Sequence, residues 1–296
     1  MADLCDDGAA VAPTVRRVRR VGILTHPRLP ESIEIAGDVA ARLAALGVSA
    51  ETGSRLDSGP LADQLLTFDC LITLGGDGTI VRAARAVAGT PVLVLGVNLG
   101  QLGFLAELQP SELGARLEAL ARGEYRIDRR ALLRAILDSQ EGERGAYDGL
   151  NDAVVARGGK VRVIAVTVAV DGQLFATYRA DGVIVATATG STAYSLSVGG
   201  PILAPCLDDL IIIPVAPHLV PTRALVVPGS STIRLQLCTG YQAVLSVDGQ
   251  VDRDLSGGDV VTVVRSPRQV GFIRFGPPED FYGTLFRRLR WATRQQ

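Results

Sequence analysis

The stretch Leu71-Ile72-Thr73-Leu74-Gly75-Gly76-Asp77-Gly78-Thr79 decides the fold. An apolar run of strand length leads into three glycines around one acid, and helical spacing follows from Thr79 to Val87. A buried strand turning through glycine into a helix is the first half of a βαβ unit. Glycines let the backbone take positive φ and approach a ligand closely. The helix start offers free N–H groups and a positive dipole end, which favour phosphate. Asp77 is the odd part, because a carboxylate repels phosphate. It reads as a base toward a hydroxyl or as a metal ligand, the bland alternative being a helix N-cap. The segment is neither a Walker A loop nor GxGxxG.

Outward from this stretch the pattern repeats. Val21 to Leu24 reads as a buried strand, Ser32 to Leu46 as a helix stopping at Gly47, and Val48 to Glu51 as a strand. Pro91 to Val97 is another strand, and Ser111 to Ala121 a helix closed by Gly123. Such alternation predicts a parallel, Rossmann-like sheet with crossover helices. Near Asp128 the texture changes to β-branched runs with turn signals. Examples are Leu132 to Leu137, Val161 to Val170 turning at Asp171-Gly172, Leu174 to Arg179, Val183 to Ala186 and Leu210 to Pro214. Ile233 to Cys238, Ala243 to Val247 and Val260 to Arg265 continue it. The expected organisation is an α/β domain over 18–128 and a β-rich, β-sandwich-like domain over 129–267. Residues 268–296 form a C-terminal segment whose helix, Phe281 to Trp291, packs back on the first domain. Residues 1–17 are expected to be disordered.

Composition excludes much else. The 296 residues are 47% hydrophobic and 21% charged with a net charge of -1, which fits a globular chain and no broad nucleic-acid footprint. Arg16, Arg17, Arg19 and Arg20 read as a solvated strand edge. Cys5, Cys70, Cys206 and Cys238 lie far apart, so neither a zinc site nor a disulfide framework is expected, and a cytoplasmic setting fits. The acidic N-terminus has no signal-peptide pattern, and no segment reaches the ~20 apolar residues that span a bilayer.

Four further segments carry chemistry. Asn98-Leu-Gly-Gln-Leu-Gly-Phe104 is a second Gly-rich turn after a strand, and Phe104 could wall a base pocket. Asn151-Asp152 places a polar pair before a β run ending at Arg157, or is an ordinary Asx turn. Asp181-Gly-Val-Ile-Val-Ala-Thr-Ala-Thr-Gly-Ser-Thr-Ala-Tyr194, continuing through Ser197 to Pro201, delivers small hydroxyl residues that suit a flat ring or a ribose. Asp248-Gly249-Gln250 reads equally as a site corner or a type I′ hairpin turn. His218, alone after Pro217, reads as structural.

In this order and wording, these segments resemble the NAD kinases, over roughly Val18 to Trp291. GGDGT is shared with diacylglycerol and sphingosine kinases and, in variant form, 6-phosphofructokinases; the GSTAYSLS run from Gly190 to Ser197 is far more specific. The resemblance implies an active site between the two domains and transfer of the ATP γ-phosphoryl group to the 2′-hydroxyl of the adenosine ribose of NAD. Mg²⁺ or another divalent metal would assist, and polyphosphate is a possible second donor. Asp77 would accept the hydroxyl proton, and Gly76, Gly78, Thr79 and Arg82 would face phosphate. Phe104 would pack on adenine. Asn151, Asp152, Arg179, Asp181, Thr189, Thr192, Ala193, Ser197, Asp248 and Gln250 would line the dinucleotide site. Tyr194 would reach a neighbouring subunit's ligand in a homodimer or homotetramer. No nucleic acid or membrane partner is implied.

Two departures or hints stand out. The family commonly has Asn-Glu where this chain has Asn151-Asp152, a reach shorter by roughly 1.5 Å. Arg179 is similar to members that prefer NAD to NADH. The competing readings are a lipid or sugar kinase carrying GGDGT and a catalytically inactive dinucleotide-binding regulator.

Overall fold

The structure, a computed structural model, describes residues 16–100, 103–140, 142, 144–159, 162–218 and 223–289. Residues 1–15 of the expected leader, the Gln101-Leu102 part of the second turn, the Val161 strand start and Trp291 lie outside the described residues; Arg16, expected in the disordered leader, instead pairs with Asp69 and donates to Pro91 O. The chain divides into two compact units. One comprises residues up to Arg129 together with Val270 onward, the other Arg130–Gln269.

The first unit opens with β1 (Arg20–Leu24), α1 (Glu31–Ala45), β2 (Ser49–Gly53) and the short α2 (Pro60–Asp63). Then come β3 (Cys70–Gly75), α3 (Asp77–Val87), β4 (Leu93–Asn98), α4 (Pro110–Arg122) and β5 (Arg126–Asp138), which runs on into the second unit. Its strands pair in parallel in the order β2-β1-β3-β4. Every residue of β3 and β4 is buried, as expected of strands covered on both faces. α1 turns Ala36, Val39 and Leu43 inward at helical spacing, and Gly47 (φ 75°) lets the chain leave it. α4 starts with a Gln109/Glu112 capping box and ends at left-handed Gly123.

The second unit is a β-sandwich. It adds β6 (Arg144–Gly149), β7 (Asp152–Arg157), β8 (Ile164–Val170), β9 (Gln173–Ala180), β10 (Gly182–Ala186) and the short α5 (Tyr194–Ser197). β11 (Leu210–Val215), β12 (Leu225–Val227), β13 (Ile233–Leu237), β14 (Ala243–Val247), β15 (Val251–Leu255) and β16 (Val260–Arg274) follow. One sheet runs β12-β11-β10-β7-β14-β15 and is antiparallel throughout. The other contains β16-β13-β8-β9. Alternate residues of both, such as Val183 and Val185 against Ile164, Val166, Leu235 and Val261, share one core. The far faces of β10 and β11 are covered as well, by Val198 and Leu203.

Three elements depart from expectation. β16 continues nine residues past Arg265, and its Gly271 and Phe272 pair in parallel with Leu93 and Val94 of β4. Pro267 and the exposed 267–269 stretch had hidden it. β6 and β15 are polar strands that alternation did not flag. β6 is held to β5 by the bidentate Arg134–Asp148 pair at 2.8 and 2.9 Å. Cys70 and Cys238 are free, but Cys206 is disulfide-bonded, which sequence spacing did not foresee. The last helix, α6 (Asp280–Leu289), belongs to the first unit and buries Leu285. Among the described residues no helix is long and apolar enough to cross a membrane.

Candidate functional site

In the first unit the Gly-rich turn leaves β3 at its C-terminal end and α3 begins at Asp77. Gly75, Gly76 and Gly78 all lack positive φ, which corrects the expectation that they supply it. Their use is steric. A Cβ on Gly75 would lie 2.6 Å from the Thr79 hydroxyl, while Gly76 and Gly78 face open space. Asp77 is no N-cap either: α3 has no side-chain cap, and Gly76 holds the cap position. Instead Phe104 N–H donates to Asp77 Oδ2 at 2.6 Å and Leu105 N–H to Oδ1 at 3.2 Å. The second Gly-rich turn thus holds the acid of the first. Gly103 makes this possible, because a Cβ there would collide with the Asp77 carboxylate.

Burial pushes the Asp77 carboxyl above the usual carboxylate range, while backbone N–H groups of the 104–106 turn, Arg288 and Arg274 pull against it. Each carboxylate oxygen has a second lone pair, so one hydroxyl can still donate to it. Arg274 is itself engaged, donating to Leu105 O and pairing with Glu107 and Asp128. Arg288 of α6 stacks over the Phe104 ring with its guanidinium carbon 4.2 Å from the centroid. One face of the ring expected to meet adenine therefore carries a cation. Arg82, one turn beyond Gly78 on α3, has a buried Nε without a partner among the described residues.

In the second unit the residues gather at one end of β7, β10 and β14. Asp248 (φ 55°) and Gly249 (φ 62°) form the β14–β15 turn, closed by Gln250 N–H to Val247 O at 3.1 Å. The hairpin reading holds. The Asp248 carboxylate accepts from Leu150, Asn151 and Asp152 N–H at 2.8, 2.7 and 3.1 Å. Thr187 donates to Leu150 O at 2.6 Å and accepts from Gly190 N–H at 3.0 Å. Gly190 lies so close to the Asn151 carbonyl that no side chain fits. Thr189 is buried and accepts from Arg130, and Thr192 donates to Thr189 O at 3.1 Å. Ala193 precedes α5, on which Tyr194 (45% exposed) and Ser197 face solvent.

Asp152 is 6% exposed, and its carboxylate makes no hydrogen bond or ion pair among the described residues. Burial first, then the negative charge of Asp248, pushes its pKa to about 7. Its neighbours satisfy each other and leave it alone.

Two expected residues are not in this group. Asp181 pairs with Arg157 at 3.0 Å, and Arg179 O accepts from His218 N–H. Asp181 sits at the other end of β10, roughly 20 Å from Thr187 by six strand steps at about 3.3 Å each, and Arg179 lies just before it near the end of β9. Arg179 lines an open groove of about 620 Å³ with Arg162, Thr177 and Tyr241. Gly103, Thr187 and Arg288 are functional candidates that the sequence reading left out. The glycine of the second turn was the available signal for Gly103.

Residues 62–125 match the family model described as ATP-NAD kinase N-terminal domain, and residues 150–275 that described as ATP-NAD kinase C-terminal domain. The chain is 40% identical to an NAD kinase of Dehalococcoides mccartyi over 92% of this chain and 96% of that one. It is 36% identical to one of Syntrophotalea carbinolica over 94% and 100%. Among solved structures it is similar to yeast NADH kinase complexed with NADH (TM-score 0.86, 26% identity, 95% of this chain and 91% of that one). It is also similar to an NAD kinase from Archaeoglobus fulgidus in complex with ATP (TM-score 0.76, 26% identity, 93% and 100%). The chain belongs to the NAD kinase family.

Proposed function

We infer that this protein is an NAD kinase that transfers the γ-phosphoryl group of ATP to the 2′-hydroxyl of the adenosine ribose of NAD, giving NADP and ADP. The observation that carries the mechanism is Asp77, a half-buried carboxylate held by two backbone N–H groups with its pKa raised. A ribose hydroxyl is a weak nucleophile at neutral pH, and a positioned base of raised pKa takes its proton as the oxygen attacks. The new O–P bond forms as the bond to ADP breaks, and the proton leaves through Asp77. Gly76 and Gly78 leave room for phosphate at the start of α3, whose N–H groups favour it, and Thr79 packs beneath the turn. Arg82 adds a cation on the same helix. Phe104 walls adenine on the face that Arg288 leaves free.

Asp152 fits a divalent cation. A hard ion takes carboxylate oxygens, and this one is buried with no competing donor. Among the described residues no three His, Cys, Asp or Glu cluster, so Mg²⁺ would be held by Asp152 together with substrate phosphates. Bound there, Mg²⁺ supplies neutralisation of phosphate charge. The shorter reach of Asp relative to Glu leaves room for a bridging water. Asn151, Thr189, Thr192, Ala193, Ser197, Asp248 and Gln250 frame the dinucleotide. Arg179 and Asp181 take a separate part of the ligand, or one that a neighbouring subunit presents.

Tyr194, exposed on α5, fits a cross-subunit contact in a homodimer or homotetramer. Replacing it, Tyr194→Ala, should raise KM for NAD severalfold without changing the oligomer; an unchanged KM in an intact oligomer removes the cross-subunit role. We assign the reaction to the cytoplasm, where ATP and NAD are supplied. The free thiols fit that compartment, and the Cys206 disulfide does not follow from it.

The deciding experiment is NADP formation by purified protein with Mg²⁺, using ATP or polyphosphate as donor and NAD or NADH as acceptor. Turnover of NAD with ATP is expected. Binding of NAD without turnover on any combination would turn the reading into a dinucleotide-binding regulator.

A further inference from the structure

Arg288 is left unexplained by everything above. Its Nε and both terminal nitrogens are shielded from solvent, and none has a hydrogen-bond partner among the described residues. The Phe104 ring lies 4.2 Å from the guanidinium carbon. Such stacking fixes the plane of the cation, but a ring face does not replace the oxygen acceptors that five N–H donors have lost. Burial and the nearby cations Arg274 and Arg287 push its pKa down to about 10, with Asp77 opposing them. It therefore stays charged at neutral pH. Asp77 is near enough to act on it electrostatically, yet it is not a hydrogen-bond partner of Arg288; its carboxylate takes Phe104 and Leu105 N–H instead. Arg274 marks the contrast, since Leu105 O, Glu107 and Asp128 all receive it.

A buried guanidinium without acceptors is an unfavourable arrangement unless something else supplies them. The fork geometry matches two oxygens of a phosphate. The neighbours point the same way: a carboxylate poised for a hydroxyl and the open glycine turn at the start of α3. We propose that Arg288 is a phosphate-binding residue of the Asp77 site, its guanidinium held by Phe104 to take two oxygens of the transferring phosphoryl group. The last helix would thereby supply in cis the charge that stabilises the transferring group. The proposal rests on the kinase reading given above.

The test uses the full chain and the variants Arg288→Gln and Arg288→Lys. With ATP and NAD varied separately, Arg288→Gln should lower kcat/KM for ATP about 10³-fold. KM for NAD should change little. Arg288→Lys should recover only a small part, since an ammonium neither stacks in plane nor forks. Added guanidinium ion should restore part of the turnover of Arg288→Gln, which a purely structural arginine would not allow. Calorimetric titration with tripolyphosphate needs no turnover and reads phosphate binding directly. Binding to the parent that is lost in Arg288→Gln supports the proposal. Equal binding, or kcat/KM within about threefold of the parent, overturns it. Should Arg288→Gln not fold, Arg288→Lys decides by the same two readouts. A parent chain that makes no NADP overturns the kinase reading instead, while the tripolyphosphate result still stands or falls by itself.

Discussion

Asp77, half-buried in the first unit, and Asp152, buried in the second, are both carboxylates with raised pKa, and they are supported in opposite ways. Two backbone N–H groups hold Asp77, and cations stand near it. Asp152 has no such donor and faces the charge of Asp248. Hydrogen bonds to the charged form offset part of the penalty of burial, whereas a like charge adds to it. The Asp77 carboxylate thus has its orientation set by the chain itself, as the proposed base requires. Asp152, with its pKa at about 7, is partly protonated near neutral pH, so the proposed binding of a cation there would also release a proton.

That contrast can be tested at both ends. Asp77→Asn removes the base but keeps the volume, and turnover should fall about 10³-fold with NAD binding retained. Undiminished turnover would strip Asp77 of its role.

For Asp152 the pKa is about 7 in the folded chain against an ordinary 3.8. Between those values the folded chain holds a proton that the unfolded chain has lost. Stability therefore falls as pH rises from roughly 4 to 7 and is level above. Asp152→Asn cannot ionise, so it should gain stability over the parent at pH 8, by on the order of 4 kcal/mol at most, and none near pH 4. Denaturant unfolding at the two pH values measures it. Mg²⁺ added with ATP should raise the Tm of the parent at pH 8 more than ATP alone does, and this increment should be lost in the variant. A variant no more stable than the parent at pH 8 would put Asp152 in the same class as Asp77.

The smallest effect is expected at the support rather than the acid. Gly103→Ala pushes a methyl group against the Asp77 carboxylate, costing about 1–3 kcal/mol in stability. Because the acid must turn, turnover should fall by more than thermal stability suggests. A drop in Tm with full turnover would mean that Asp77 need not be held by the Phe104 turn.

Much of this arrangement was legible in the sequence, and the gaps have physical causes. The strand, glycine turn and helix around Asp77 were readable because apolar runs and glycines report local geometry. So was the change of texture near Asp128, which reflects a switch from helical to alternating periodicity. What Asp77 bonds to was not legible, because its partners lie 27 and 28 residues away. The same holds for Asp248, which binds backbone almost a hundred residues earlier in the chain. Asp248-Gly249 looked like a hairpin turn or a site corner; its backbone makes the turn, and its carboxylate ties down the 150–152 backbone. Asp181 and Asp152 stood in adjacent motifs, but antiparallel pairing of β10 with β7 sends them to opposite ends.

The chain order of the first unit has a consequence during synthesis. The β4 partner in β16 is made only after the whole of residues 130–269. Those residues are contiguous, so the sandwich can fold as soon as it clears the ribosome. The earlier α/β half must wait with the edge of β4 unpaired, an exposed template for wrong pairing. A stalled or truncated chain ending before Val270 should therefore hold a folded C-terminal sandwich and an incomplete, chaperone-dependent N-terminal half, and the enzyme is finished from its last residues backward.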